Sequence, residues 1–77
     1  MGTEYRTDIK ELKKVLIEKD LLTLQKLAEI SKIHISVLSD VLNGKRQPTS
    51  IVIDKLVLTL DLSPEQAGRI FFSIKLA

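Results

Sequence analysis

Apolar residues recur three and four positions apart in several separate stretches of the chain, and polar punctuation falls between them. That period belongs to helices that bury one face. Ile9, Leu12 and Leu16 form the first stripe, with Val15 on its flank and Lys10, Lys13 and Lys14 off it. Thr7 is placed to cap this helix, with Asp8 in its first turn, and it ends near Lys19-Asp20. A second helix is predicted over Leu24–Ser31, capped by Thr23, with Leu27, Ala28 and either Ile30 or Ser31 inward. After Lys32-Ile33-His34 a third helix runs from about Ile35 to Leu42, with Leu38 and Val41 on one face. Asn43-Gly44 stops it, because both residues tolerate positive φ. A polar loop, Lys45 to Ser50, contains Pro48. A fourth helix, about Ile51 to Leu60, is capped by Thr49 or Ser50 and turns Ile53, Leu56, Val57 and Leu60 inward. Ser63-Pro64-Glu65-Gln66 then reads as a capping box with Pro at the first helical position. It opens a fifth helix burying Ala67, Ile70, Phe71 and Ile74. No hairpin signal, repeat or low-complexity segment appears. The expectation is an all-α chain of five helices and no strand.

Seventy-seven residues allow one small domain and leave little room for an enclosed catalytic cleft. We divide the chain into a loose terminus, residues 1–6, and a single domain, residues 7–77. With 44% apolar and 29% charged residues the composition is that of a globular protein, not a disordered one. Twelve Lys and Arg against ten Asp and Glu give a charge of +2, which permits a nucleic-acid partner without demanding one. Cysteine is absent and His34 is the only histidine, so no disulfide framework, thiol nucleophile or zinc cluster is available. Apolar stretches are broken by charge before the ~18 residues a membrane span needs, and no charged-then-apolar leader opens the chain. No phosphate-binding glycine loop and no Ser/His/Asp set is present. These features predict a cytoplasmic binding domain with no cofactor, no metal, no membrane association and no small-molecule substrate, not an enzyme.

Two short helices joined by about three residues make a helix-turn-helix candidate, over about residues 23–46. Its residues narrow the reading: Thr23-Leu24-Gln25-Lys26-Leu27-Ala28-Glu29, then Ile33, then Val37-Leu38-Ser39-Asp40-Val41-Leu42-Asn43-Gly44-Lys45-Arg46. This segment resembles the Cro/repressor (XRE-type) helix-turn-helix family, as does the approach to the last helix, Leu60-Asp61-Leu62-Ser63-Pro64. The resemblance spans about Asp8 to Phe71. It implies a five-helix, lambda-repressor-like domain in which small Ala28 permits close helix crossing and Leu27, Ile33, Leu38 and Val41 form the wedge. It further implies that the third helix enters a DNA major groove. On that footing His34, Ile35, Ser36, Ser39 and Asp40 face base edges, while Thr23, Leu24, Asn43, Lys45 and Arg46 meet phosphates.

The chain departs from the family pattern where function would be decided. Leu24 stands where Gln is usual, Ile35 where a polar or basic reader is common, and Lys32 where the turn usually has Gly. Ser31 replaces an apolar residue. Asp40 brings negative charge to the groove side, tolerable against DNA only if it accepts from a cytosine amino group. Residues 32–42 carry one Lys and one Asp, hence no net charge with His34 neutral.

Two function classes therefore fit. One is a transcriptional regulator binding operator DNA, similar to small phage or bacterial repressors, with a phage lysogeny switch as one setting. Such proteins usually bind as homodimers, with Phe72 and Leu76 either forming the seam or packing on their own core. The other is an antirepressor on the same fold, capturing a partner repressor protein through Leu24, Ile35 and Asp40. Under that reading Leu24, Ile35 and Val37 or Leu42 form a partly exposed apolar patch.

Overall fold

A computed structural model describes residues 5–74. Five helices follow one another: α1 (Ile9–Glu18), α2 (Leu24–Ser31), α3 (Ile35–Leu42), α4 (Ser50–Leu60) and α5 (Pro64–Phe71). α2 packs against both α3 and α4, and α1 packs against α5. The core between them is built from leucine at helical spacing: Leu12, Leu16, Leu27, Leu38, Leu56 and Leu60 are almost fully buried, together with Ile70. Ile33, in the turn between α2 and α3, joins the same core. All the helix boundaries expected from sequence hold to within one residue up to the start of α5.

Helix ends explain why the boundaries were readable. Ser63 Oγ accepts from the Gln66 amide at 3.2 Å, and Gln66 Oε1 accepts from the Ser63 amide at 3.0 Å, so the capping box is complete. Thr49 Oγ1 accepts from Val52 N at 3.3 Å. At the other end of α3, Lys45 N donates to Asp40 O at 2.8 Å and Gly44 N to Val41 O at 3.2 Å. This is a Schellman closure, and it needs a left-handed residue at Gly44, whose φ is +74°.

Three expectations require correction. The first cap is Asp8, whose Oδ1 accepts from Glu11 N at 3.1 Å. A carboxylate both satisfies that amide and opposes the positive helix end, which a hydroxyl cannot do. Thr7 instead donates through Oγ1 to Gln47 Oε1 at 3.3 Å. Second, the chain is not strand-free. Tyr5–Arg6 (β1) pairs antiparallel with Ser73–Ile74 (β2), Tyr5 opposite Ile74 and Arg6 opposite Ser73. Residues 5 and 6 are therefore held, not loose, and α5 ends at Phe71, so Ile74 lies in this ladder and not on a helix. Two-residue strands carry no periodicity, so nothing in the pattern marked them. Residues 1–4 of the expected terminus lie outside the described residues. Third, Val15 is 4% exposed and belongs to the core rather than its flank, and between Ile30 and Ser31 it is Ser31 that turns inward. Ser31 Oγ accepts from the Ile33 amide at 3.3 Å, which satisfies a polar group buried in the tight turn.

Candidate nucleic-acid interface

The turn between α2 and α3 decides how α3 is presented. Lys32 closes α2 in the left-handed region, φ +62°, the conformation glycine adopts most cheaply. Its carbonyl is not left unpaired: Lys55 Nζ, from α4, donates to it at 3.1 Å. Ile33 then plugs the turn into the core, and His34 caps α3. The Ser36 amide donates to His34 Nδ1 at 3.1 Å, and Ser36 Oγ lies 2.8 Å from the same nitrogen. An accepting Nδ1 places the ring proton on Nε2, the nitrogen left free as a donor.

From that cap, α3 divides cleanly. Leu38, Val41 and Leu42 are buried and Val37 packs on the core. His34, Ile35 and Ser36 are exposed, Ser39 and Asp40 are half-buried, and Asn43, Lys45 and Arg46 are exposed. Residues 36, 39, 40 and 43 share one helix face by the three-and-four spacing. The structure thus brings together eight of the ten residues expected at the interface. Thr23 and Leu24 belong to a different element, the start of α2. Thr23 occupies the N-cap position but makes no side-chain cap bond.

The polar groups of this face are paired with each other. Arg46 lies 3.2 Å from Asp40, through one guanidinium nitrogen and one carboxylate oxygen. Asn43 Nδ2 donates to Ser39 Oγ at 3.3 Å. The negative charge at Asp40 is therefore matched locally, which the linear sequence did not show. Arg46 retains further N–H donors beyond that single contact.

The apolar patch expected on this side is smaller than the sequence suggested. Leu42 is core, and Leu24 and Val37 are half-buried against the core. Only Ile35 remains exposed, at 39%. Helix-helix packing claimed the other three because α2 and α3 are each only eight residues long. Helices that short have few positions to anchor with, so their boundary apolar residues are drawn inward.

Sequence reasoning missed three residues beside this face. Arg6, Thr7 and Gln47 border a recess of about 260 Å3 together with Ile9, Val41, Gly44 and Arg46. Arg6 sits in a segment with no pattern, and only the β1–β2 ladder brings it there. No group of His, Asp or Glu suited to a metal ion occurs among the described residues. None of the described helices is long and apolar enough to cross a membrane.

With the geometry in place, a family model described as helix-turn-helix matches residues 12–66. The chain belongs to the helix-turn-helix family of the Cro/repressor (XRE) type. That match runs from Leu12, within α1, to the first turn of α5, with the whole α2–turn–α3 unit inside it. No individual curated protein and no solved structure matches the chain significantly. The family is one of DNA-binding transcription regulators rather than enzymes.

Proposed function

We propose that this helix-turn-helix protein is a regulator that binds operator DNA with α3 in the major groove. The observation that carries the reading is the outer face of α3: a histidine-capped start with His34 and Ser36 exposed, on a helix whose opposite face is fully committed to the core. His34 Nε2–H and the serine hydroxyls offer the short donors and acceptors that base-edge reading requires. Lys45 and Arg46 follow the helix at the position where backbone phosphates are met. His34, Ile35, Ser36, Ser39 and Asp40 are proposed as base-facing, and Asn43, Lys45 and Arg46 as phosphate-facing, with Thr23 and Leu24 meeting the backbone from α2. A homodimer on paired half-sites is the proposed assembly. The resemblance to small phage and bacterial repressors supports a switch-like role.

A second reading, capture of a partner repressor through the same face, draws on exposed Ile35 and on the Asp40–Arg46 pair. Inward packing of Leu24, Val37 and Leu42 weakens it, since a single isoleucine makes a poor apolar anchor.

Fluorescence anisotropy with mixed-sequence duplex DNA, titrated from ~50 to ~200 mM salt, separates the two readings. A DNA regulator binds at the low end and loses affinity with a log-log slope near −0.9 per phosphate contacted. Absence of binding at ~50 mM salt would overturn the DNA reading and leave the partner-protein one.

A further inference from the structure

The recess between β1, the start of α1 and the loop after α3 adjoins the helix-turn-helix, which lends it Val41, Gly44 and Arg46. Its lining is apolar at Ile9 and Val41, and polar or basic at Arg6, Thr7, Arg46 and Gln47. The lining is tied across by the Thr7–Gln47 hydrogen bond, so the N-terminal segment and the post-α3 loop form one wall. Arg6 is fixed at this wall by pairing with Ser73 in the ladder. Gly44 permits the close approach behind it: a Cβ there would meet Ile9 Cδ1 at 3.3 Å.

The charge of the recess selects its occupant. Arg6 and Arg46 contribute two positive charges, and Asp40, bonded to Arg46, removes one. The remainder suits a single negative charge, which is that of a phosphodiester. A recess of about 260 Å3 has room for a tetrahedral oxyanion. Arginine forks match phosphate oxygens in pairs, and the Thr7 hydroxyl and Gln47 amide add neutral partners.

We propose that this recess is a phosphate seat in which Arg6, from the strand preceding the helical domain, and Arg46 together hold one backbone phosphate of the bound duplex. The seat deepens the DNA-binding reading and rests on it. It makes Arg6 an affinity residue outside the segment that carries the family motif. It also gives the β1–β2 ladder a purpose: pairing these two segments sets Arg6 at a fixed distance from α3. Free inorganic phosphate presents the same chemistry and is the other source the seat must be tested against.

The test compares wild type, Arg6→Gln, Arg6→Lys and Lys45→Ala in the anisotropy salt titration, with circular dichroism to verify helicity. Wild type serves as the check on DNA binding itself. The expected result is a salt slope shallower by about 0.9 for Arg6→Gln, which is roughly eightfold in affinity at 0.1 M salt. The loss should be equal on all duplex sequences, and Arg6→Lys should restore most of the slope. A steep wild-type slope that Arg6→Gln leaves unchanged, while Lys45→Ala lowers it, overturns the seat and leaves the DNA reading intact. Calorimetric titration with inorganic phosphate is the second arm. Submillimolar binding that depends on Arg6, with no Arg6 effect on the DNA slope, also overturns the proposal and assigns the recess to a free anion. If wild type fails to bind DNA, both the seat and the function it serves fall together.

Discussion

Lys32 is the residue at which local energy and fold disagree most plainly. The turn requires left-handed backbone, and Lys32 adopts it with φ +62°. A residue with a Cβ carries a penalty of roughly 1–2 kcal/mol there, whereas glycine adds only about 0.5–1 kcal/mol of extra chain entropy to be lost. The Lys55 contact runs to the Lys32 carbonyl, not to its side chain, so it survives any substitution at this position. Lys32→Gly is therefore expected to stabilise the domain by about 0.5–1 kcal/mol, or some 2–8 °C in Tm for a domain of this size. Lys32→Ala, which keeps the Cβ, should give no comparable gain. Thermal unfolding of the two variants side by side checks it. If alanine stabilised as much as glycine, backbone strain would not be the cause.

The helix-turn-helix unit takes shape at the scale of elements, and here sequence and structure part in instructive ways. α2 and α3 were legible to the residue because their ends carry polar caps and a glycine stop, and because Leu27, Ile33, Leu38 and Val41 fall on the period. What their outer faces do to one another was not legible. Asp40 and Arg46 are six apart in sequence and lie on opposite sides of a helix end, so only the Schellman closure through Gly44 brings them to 3.2 Å. Leu24 and Val37 looked available for the same reason: a linear pattern does not say which boundary residue the neighbouring helix will cover. Arg6 was invisible because a two-residue strand has no signature. The Asp40–Arg46 pair has a consequence for affinity. Both side chains are substantially exposed, so the pair contributes at most about 1 kcal/mol to folding. Against DNA it acts differently, since Asp40 repels phosphates and occupies one Arg46 nitrogen. Asp40→Asn should leave Tm within a few degrees of wild type yet tighten binding to mixed duplexes and steepen the salt slope by up to about one unit. Weaker or unchanged binding would indicate that Asp40 accepts a hydrogen bond from a base and reads sequence.

At the scale of the whole molecule, the proposed reading gives each copy of the chain one recognition helix. The described chain measures 39 × 24 × 20 Å, with a radius of gyration of 11.9 Å. One α3, eight residues long, spans about 12 Å at 1.5 Å per residue, too short to read more than one half-site. Half-sites one helical turn apart lie about 34 Å from centre to centre, a spacing two copies of these dimensions can match when placed side by side. The proposed dimer therefore needs a contact surface away from α3. Phe72, 52% exposed just beyond the end of α5 and edge-on to Tyr5 at 6.0 Å, is the residue proposed to supply it. Leu76, expected to share that seam, lies outside the described residues. The prediction is two protomers on a ~20-bp duplex carrying paired half-sites, measured by sedimentation equilibrium. Phe72→Ser should convert this to independent binding of single protomers. Affinity for an isolated half-site should fall at most to that of Arg6→Gln, because Phe72 packs edge-on to Tyr5, the neighbour of Arg6 in β1, and is remote in sequence from the residues proposed on α3. A Phe72→Ser protein that still bound paired half-sites as a two-protomer complex would move the seam elsewhere. One protomer per duplex in the wild type would remove the dimer altogether, and α3 would then act as a single reader of one short site.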